Sequence, residues 1–157
     1  LSIHKNMKKT LEGRSVGVLV ANQTDKGQLD SLLTGIRQAK ATPVVIGPTL
    51  KGIQLSDGSQ IQADAPLAGA PSALFDAVAL VLSKEGTEAI MKEVAAVQFV
   101  MDAFAHLKAI GFSEAAAPLL QKAGVEEDAG ITKLDSSFLD AAAQRFWDRE
   151  QKVRTVI

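Results

Sequence analysis

Two stretches, SVGVLVA (residues 15–21) and AVALVL (77–82), are apolar at nearly every position and show no helical period. A strand that reads this way has both faces covered, which a parallel sheet achieves by packing helices on each side. Between them, Leu29, Leu32, Leu33 and Ile36 recur at i, i+3, i+4 and i+7, predicting an amphipathic helix over 26–40. Pro43 resets the chain, and Val44, Val45 and Ile46 read as a second short strand before Gly47-Pro48. Parallel strands need crossover connections, so this alternation predicts an α/β protein, a flavodoxin-like three-layer α/β/α sandwich with a mostly parallel sheet.

The remaining segments fit that plan. Residues 53–62 alternate apolar and polar about Asp57-Gly58, the signature of an inserted β-hairpin or an antiparallel edge. APLAGAPS (65–72) reads as a loop. Helical patterning runs over 84–94 and again through Val97, Val100, Met101, Phe104 and Leu107, as one helix or two. A strand is predicted at 109–112 and a helix at 114–123, closed by Gly124. GITKL (130–134) is a candidate last strand, and Phe138, Leu139, Ala142 and Phe146 give an amphipathic C-terminal helix.

Composition narrows the function. With 157 residues and 46% apolar content the chain fits one folded domain, and a net charge of −1 gives no pull toward nucleic acid or acidic membrane surfaces. There is no cysteine, which removes thiolate catalysis, zinc–thiolate sites and disulfides and fits a reducing, cytoplasmic compartment. No run has the length of a membrane span, and the N-terminal LSIHKNMKKTLEG lacks the apolar core of a signal peptide.

Four places invite a chemical reading. KAIGFSEAAAP (108–118) has the strand–turn–helix layout of a nucleophile elbow, with Ser113 at the nucleophile position. A serine nucleophile needs a base within reach. His4 lies in the N-terminal tail and His106 precedes the strand, at the opposite edge of the sheet; position 115 is Ala, outside the G-x-S-x-G pattern. Ser113 is therefore the weak catalytic candidate, and its expected role is N-cap of the following helix. ANQTDKGQ (21–28) occupies the phosphate-binding position of flavodoxin-like folds, with Thr24 and Gly27 placed to offer amides to an anion; a solvated turn is the alternative. His106 and Asp102, at helical spacing, read as a surface pair rather than metal ligands. Phe146-Trp147 reads as an anchor for the last helix. No cofactor-binding or metal-ligating set is predicted.

Several stretches together resemble the C-terminal domain of large-subunit haem catalases: LAGAPSALFDAVALVL (67–82), VQFVMDAFAHLKAIGF (97–112), and AGIT with SSFLDAAAQRFWDRE (129–150). EGRSVGVLVAN (12–22) and LSDGSQI (55–61) fit the same template in the same order. The resemblance implies a flavodoxin-like fold related to class I glutamine amidotransferase-like proteins, including PfpI-type proteases and deglycases. Those relatives carry a Cys at the elbow, an acidic residue after the first strand and a Gly-Gly pair after the AVALVL-type strand. Here these places hold Ser113, Thr24-Asp25 and Ser83-Lys84.

For the parent protein, the resemblance implies a homotetrameric haem catalase that converts hydrogen peroxide to water and oxygen. Its proximal haem ligand would be a Tyr, and this chain has none. Residues 1–13 are then expected to be an entry segment from a preceding domain, and 14–157 an accessory domain. Its partners would be the catalase core and neighbouring subunits, with haem only in the parent enzyme. The competing readings are a stand-alone chaperone-like module, a PfpI-like hydrolase using Ser113, and a flavin or nucleotide carrier using 21–28.

Overall fold

The computed structural model describes residues 11–49, 51–126 and 128–142. In chain order the elements begin with β1 (Ser15–Val20), α1 (Lys26–Gln38) and β2 (Thr42–Gly47). β3 (Gly52–Gln54), β4 (Gln60–Gln62), β5 (Ala65–Pro66) and β6 (Ala77–Val81) follow. The second half holds α2 (Lys84–Ile90), α3 (Val94–Ala105), β7 (Ala109–Phe112), α4 (Ala117–Lys122), β8 (Ile131–Lys133) and α5 (Ser136–Ala142). Six strands form one sheet in the order β5-β2-β1-β6-β7-β8, with every described pairing parallel. β3 and β4 pair antiparallel in a sheet of their own, so the predicted hairpin is an insertion and not a sheet edge. His4, Phe146 and Trp147 lie outside the described residues.

The two apolar runs become neighbours at the centre. β1 and β6 pair from Val16↔Ala77 to Val20↔Val81, and all five residues of β6 are buried. Val16, Val18 and Val20 face a core closed by α1 and α5, while Leu19 and Ala21 face one closed by α3, α4 and the 67–75 segment. Leu11 also packs into the first of these cores.

Element ends follow local chemistry. Asp25 caps α1, its carboxylate accepting from Gln28 N at 2.8 Å, and Ser83 caps α2 through Gly86 N at 2.9 Å. The long helical pattern after Ser83 is two helices, broken at residues 91–93. The predicted 114–123 helix divides into a 3₁₀ turn at 114–116 and α4, with Gly124 (φ +72°) closing it. Pro43, expected to precede the second strand, lies inside β2. It is tolerated there because β5 reaches only Ile46 and Gly47, leaving the rest of that side without a ladder partner. β5 itself falls in the predicted loop, a two-residue strand too short to show a period.

Two glycines let aromatic rings lie directly on the sheet. A Cβ on Gly17 would sit 2.7 Å from the Phe75 ring, and one on Gly111 would sit 2.5 Å from Phe138. The two rings belong to opposite cores, so each helical layer is seated on a central strand through one aromatic–glycine contact. Backbone on one side and a fully buried ring on the other leave little room for relief. Gly111→Ala is expected to destabilise the fold by about 1–3 kcal/mol, the usual cost of overpacking, read as a lowered urea midpoint at unchanged slope.

Candidate functional site at the carboxyl edge

In open α/β sheets, ligands gather at the carboxyl ends of the strands beside the switch point of the strand order. That point lies here between β1 and β6, where the chain departs on opposite sides of the sheet. Three hydroxyls meet at this edge. Thr24 Oγ1 accepts from Ala21 N at 3.2 Å and donates to the Val81 carbonyl at 2.6 Å, and the residue is completely buried. Ser83 Oγ donates to the Asn22 carbonyl at 3.1 Å while accepting from Gly86 N. Ser113 Oγ accepts from Leu82 N at 3.0 Å and donates to the Leu82 carbonyl at 2.7 Å. Each hydroxyl takes over where a parallel ladder ends and backbone groups would otherwise be orphaned.

Ser113 therefore does not play its expected part. Its residue starts the 114–116 turn, and its backbone carbonyl accepts from Ala116 N at 2.9 Å, but its side chain makes no capping bond. It turns inward instead, 6% exposed, and clasps the end of β6 to that of β7. A hydroxyl whose proton lies on a backbone carbonyl is not being drawn toward a base. His106 ends α3 on the other side of β7, about 13 Å away at ~3.3 Å per strand residue. The Asp102 carboxylate accepts from Gln98 Nε2 at 2.7 Å. Among the described residues, no group of three His, Cys, Asp or Glu side chains could hold a metal ion.

The turn after β1 is exposed at Asn22, Gln23, Asp25 and Gly27, as the solvated-turn reading has it, and the β3–β4 hairpin is bonded into it. Gln23 N donates to Gln54 O at 2.7 Å, Lys26 N to Ser56 Oγ at 3.1 Å, and Ser56 N to Thr24 O at 3.0 Å. Gln54 N donates to Asn22 Oδ1 at 3.1 Å. Thr24 N and Gln28 N are held by Ala21 O and Asp25 Oδ1, so four amides of this turn already have protein partners. The far end of the hairpin is fixed by Asp57, whose Oδ1 accepts from Ser59 N and Ser59 Oγ; these bonds hold its carboxyl below the usual carboxylate range. A lowered folded-state pKa means that this contribution is present above the ordinary value of 3.8 and fades as pH falls below it.

Beside the plugged turn, a cleft of about 500 Å³ opens between the hairpin root and α2. Thr49 and Lys51 line one wall, Glu85 and Glu93 the other, above Ile53 and Ile90. Ser113 is not part of this lining.

At the opposite edge the sequence hid a second polar anchor. Lys108, the residue before β7, is 4% exposed, and its ammonium donates to the carbonyls of Ser72 (3.0 Å), Ala73 (3.1 Å) and Phe75. The turn leading to it places Leu107 in the left-handed region (φ +64°). The available signal was a lysine abutting a fully apolar strand, which has no solvent to reach.

The comparisons with known proteins follow this geometry. Residues 12–151 match the family described as the C-terminal domain found in long catalases. The chain belongs to that family. It is 39% identical to Catalase C of Rhizobium meliloti over 98% of its own length but only 23% of that protein. Against Catalase HPII of Pseudomonas putida the identity is 31%, over 93% of this chain and 21% of the relative. The chain thus spans about a fifth of the length of these catalases. Oxidised Toxoplasma gondii DJ-1 has the same fold, with a TM-score of 0.69 at 17% identity, covering 92% of this chain and 97% of that one. A DJ-1 superfamily protein from Salmonella typhimurium superposes equally well, with a TM-score of 0.69 at 20% identity over 91% of this chain and 95% of that one. The flavodoxin-like expectation holds.

Two substitutions separate anchoring from chemistry. Ser113→Ala is expected to cost about 1–3 kcal/mol, because the buried Leu82 amide and carbonyl lose their partner; chemical denaturation measures it. A fluorophosphonate serine probe is expected to leave wild-type Ser113 unlabelled. Lys108→Met is expected to cost about as much or more, since it strips three carbonyls of their donor, and to lower the melting temperature.

Proposed function

We propose that this domain is a non-catalytic accessory module of a long catalase, acting on the stability and assembly of that enzyme while peroxide chemistry takes place elsewhere in the polypeptide. The observation that carries the reading is the elbow: the side chain at the nucleophile position has both its donor and its acceptor bonded to Leu82. The neighbouring turn, where a ligand phosphate would sit, is bonded to the chain's own hairpin. Strand ends where related folds expose reactive groups are here tied together, and that makes a rigid block.

Haem, the group that the family implies, has by that resemblance a proximal Tyr ligand, and this chain contains no Tyr. Haem and its ligands are assigned to the part of the long polypeptide outside this segment. No helix among the described residues is long and apolar enough to cross a membrane.

The test uses the native protein, captured from its source with an antibody to this segment. A subunit several times heavier than 16.6 kDa with a haem Soret band is expected. A colourless subunit of about that mass would overturn the reading. In the long enzyme, removing this domain is expected to lower the melting temperature by several degrees and leave turnover per haem unchanged; an unchanged melting temperature would remove the stabilising role.

A further inference from the structure

We propose that the outward face of α3, together with Leu74, is the surface on which this domain docks against the rest of the long catalase polypeptide. The assignment rests on the accessory-module reading above and names the surface that reading requires. Three large apolar side chains are exposed among the described residues: Leu74 at 63%, Val94 at 82% and Met101 at 44%. All three fall on one layer of the sandwich. Val94 and Met101 stand seven residues apart on α3 and share a face with exposed Ala105, while Leu74 belongs to the 3₁₀ turn packed against that helix.

The polar residues of this face are turned to one another. Gln98 and Asp102 are bonded side chain to side chain at 2.7 Å, which reduces their demand for water. α1, on the opposite layer, shows the contrast: its exposed positions include Asp30, Ser31, Thr34, Arg37 and Gln38, a solvated face. The contrast is between these two helix faces: Lys84, Glu85, Glu88 and Lys122 keep α2 and α4 solvated, so the apolar patch on that layer is confined to α3 and Leu74.

Leu74 is also held in place. The carbonyls of Ser72, Ala73 and Phe75 on either side of it converge on the buried Lys108 ammonium, and the Phe75 ring packs at 6.5 Å from that of Phe99 on α3. A leucine fixed at both flanks is a preformed knob, and ordering it on docking has little entropic cost. The three-carbonyl clamp at the base of α3 therefore serves the surface as well as the fold.

The occupant follows from chain length. More than three quarters of each catalase relative lies outside the segment that this chain matches, in the same polypeptide. A domain tethered to so large a neighbour meets it at high effective concentration, ahead of any second molecule. The surface it meets is expected to be an apolar, uncharged socket, receiving Leu74 and Met101 as knobs.

Hydroxyl-radical footprinting of the intact long enzyme, native against unfolded, tests this. Leu74, Val94 and Met101 are expected to be protected to the level of buried Phe99, a drop of more than about tenfold for a residue as open as Val94. Half-buried Leu33 on α1 is the internal control and should keep its reactivity. Met101→Glu in the same enzyme is expected to raise labelling at Leu74 and Val94 with Phe99 still protected, whereas Thr34→Glu on α1 changes neither. Full reactivity of the three side chains in a long, haem-bearing subunit would overturn the surface assignment and leave the module reading standing. Protection that is lost on dilution as subunits separate would give the face to a contact between copies and also overturn it. A short, colourless native subunit would sink the module reading itself.

Discussion

The pairing of β1 with β6 is the constraint on which the rest of this structure depends. Both strands are buried on both faces, so every amide and carbonyl along them needs a partner inside the protein. The parallel ladder supplies those partners only as far as the strands run. At the carboxyl edge the supply ends, and Thr24, Ser83 and Ser113 continue it with hydroxyls that both donate and accept. At the amino edge Lys108 does the corresponding work for the carbonyls of the 72–75 turn. The polar residues that resemble a site are thus largely the terminators of a fully buried sheet.

That account also explains how one architecture can hold chemistry in one protein and structure in another. A strand-to-helix elbow presents its first side chain at the edge of the sheet. Whether that side chain reacts depends on where its hydrogen bonds go. In this chain Leu82 takes both bonds of Ser113, and the hairpin takes the Gln23 and Lys26 amides of the first turn. The shared fold with DJ-1 therefore carries no activity across by itself.

The two helical layers are secured in the same manner but face different surroundings. Phe75 seated on Gly17 and Phe138 on Gly111 lock each layer to a central strand at van der Waals distance. Beyond those seats, the outward face of α1 ends in polar side chains, whereas that of α3 carries Val94 and Met101 beside Leu74. Stability of the domain and its readiness for a neighbour are therefore built on opposite ends of the same core contacts.

The sequence by itself determined the elements and their class. Uninterrupted apolar runs at 15–21 and 77–82 require burial on both faces, a 3.6-residue period identifies α1, and Asp57-Gly58 marks the hairpin, all local properties of the chain. It also held enough ordered family pattern to point to the C-terminal domain of long catalases. The partners of single polar atoms were decided only by the tertiary structure. Ser113 read as a helix cap, Thr24 as part of an anion-binding or solvated turn, and nothing singled out Lys108, because each choice of partner hangs on a residue far away in sequence: Leu82, Val81 and the 72–75 turn. The hairpin's position over the first turn was hidden for the same reason. Hydrophobic period is written along the chain, whereas a hydrogen bond between segments exists only once the sheet has brought their ends together.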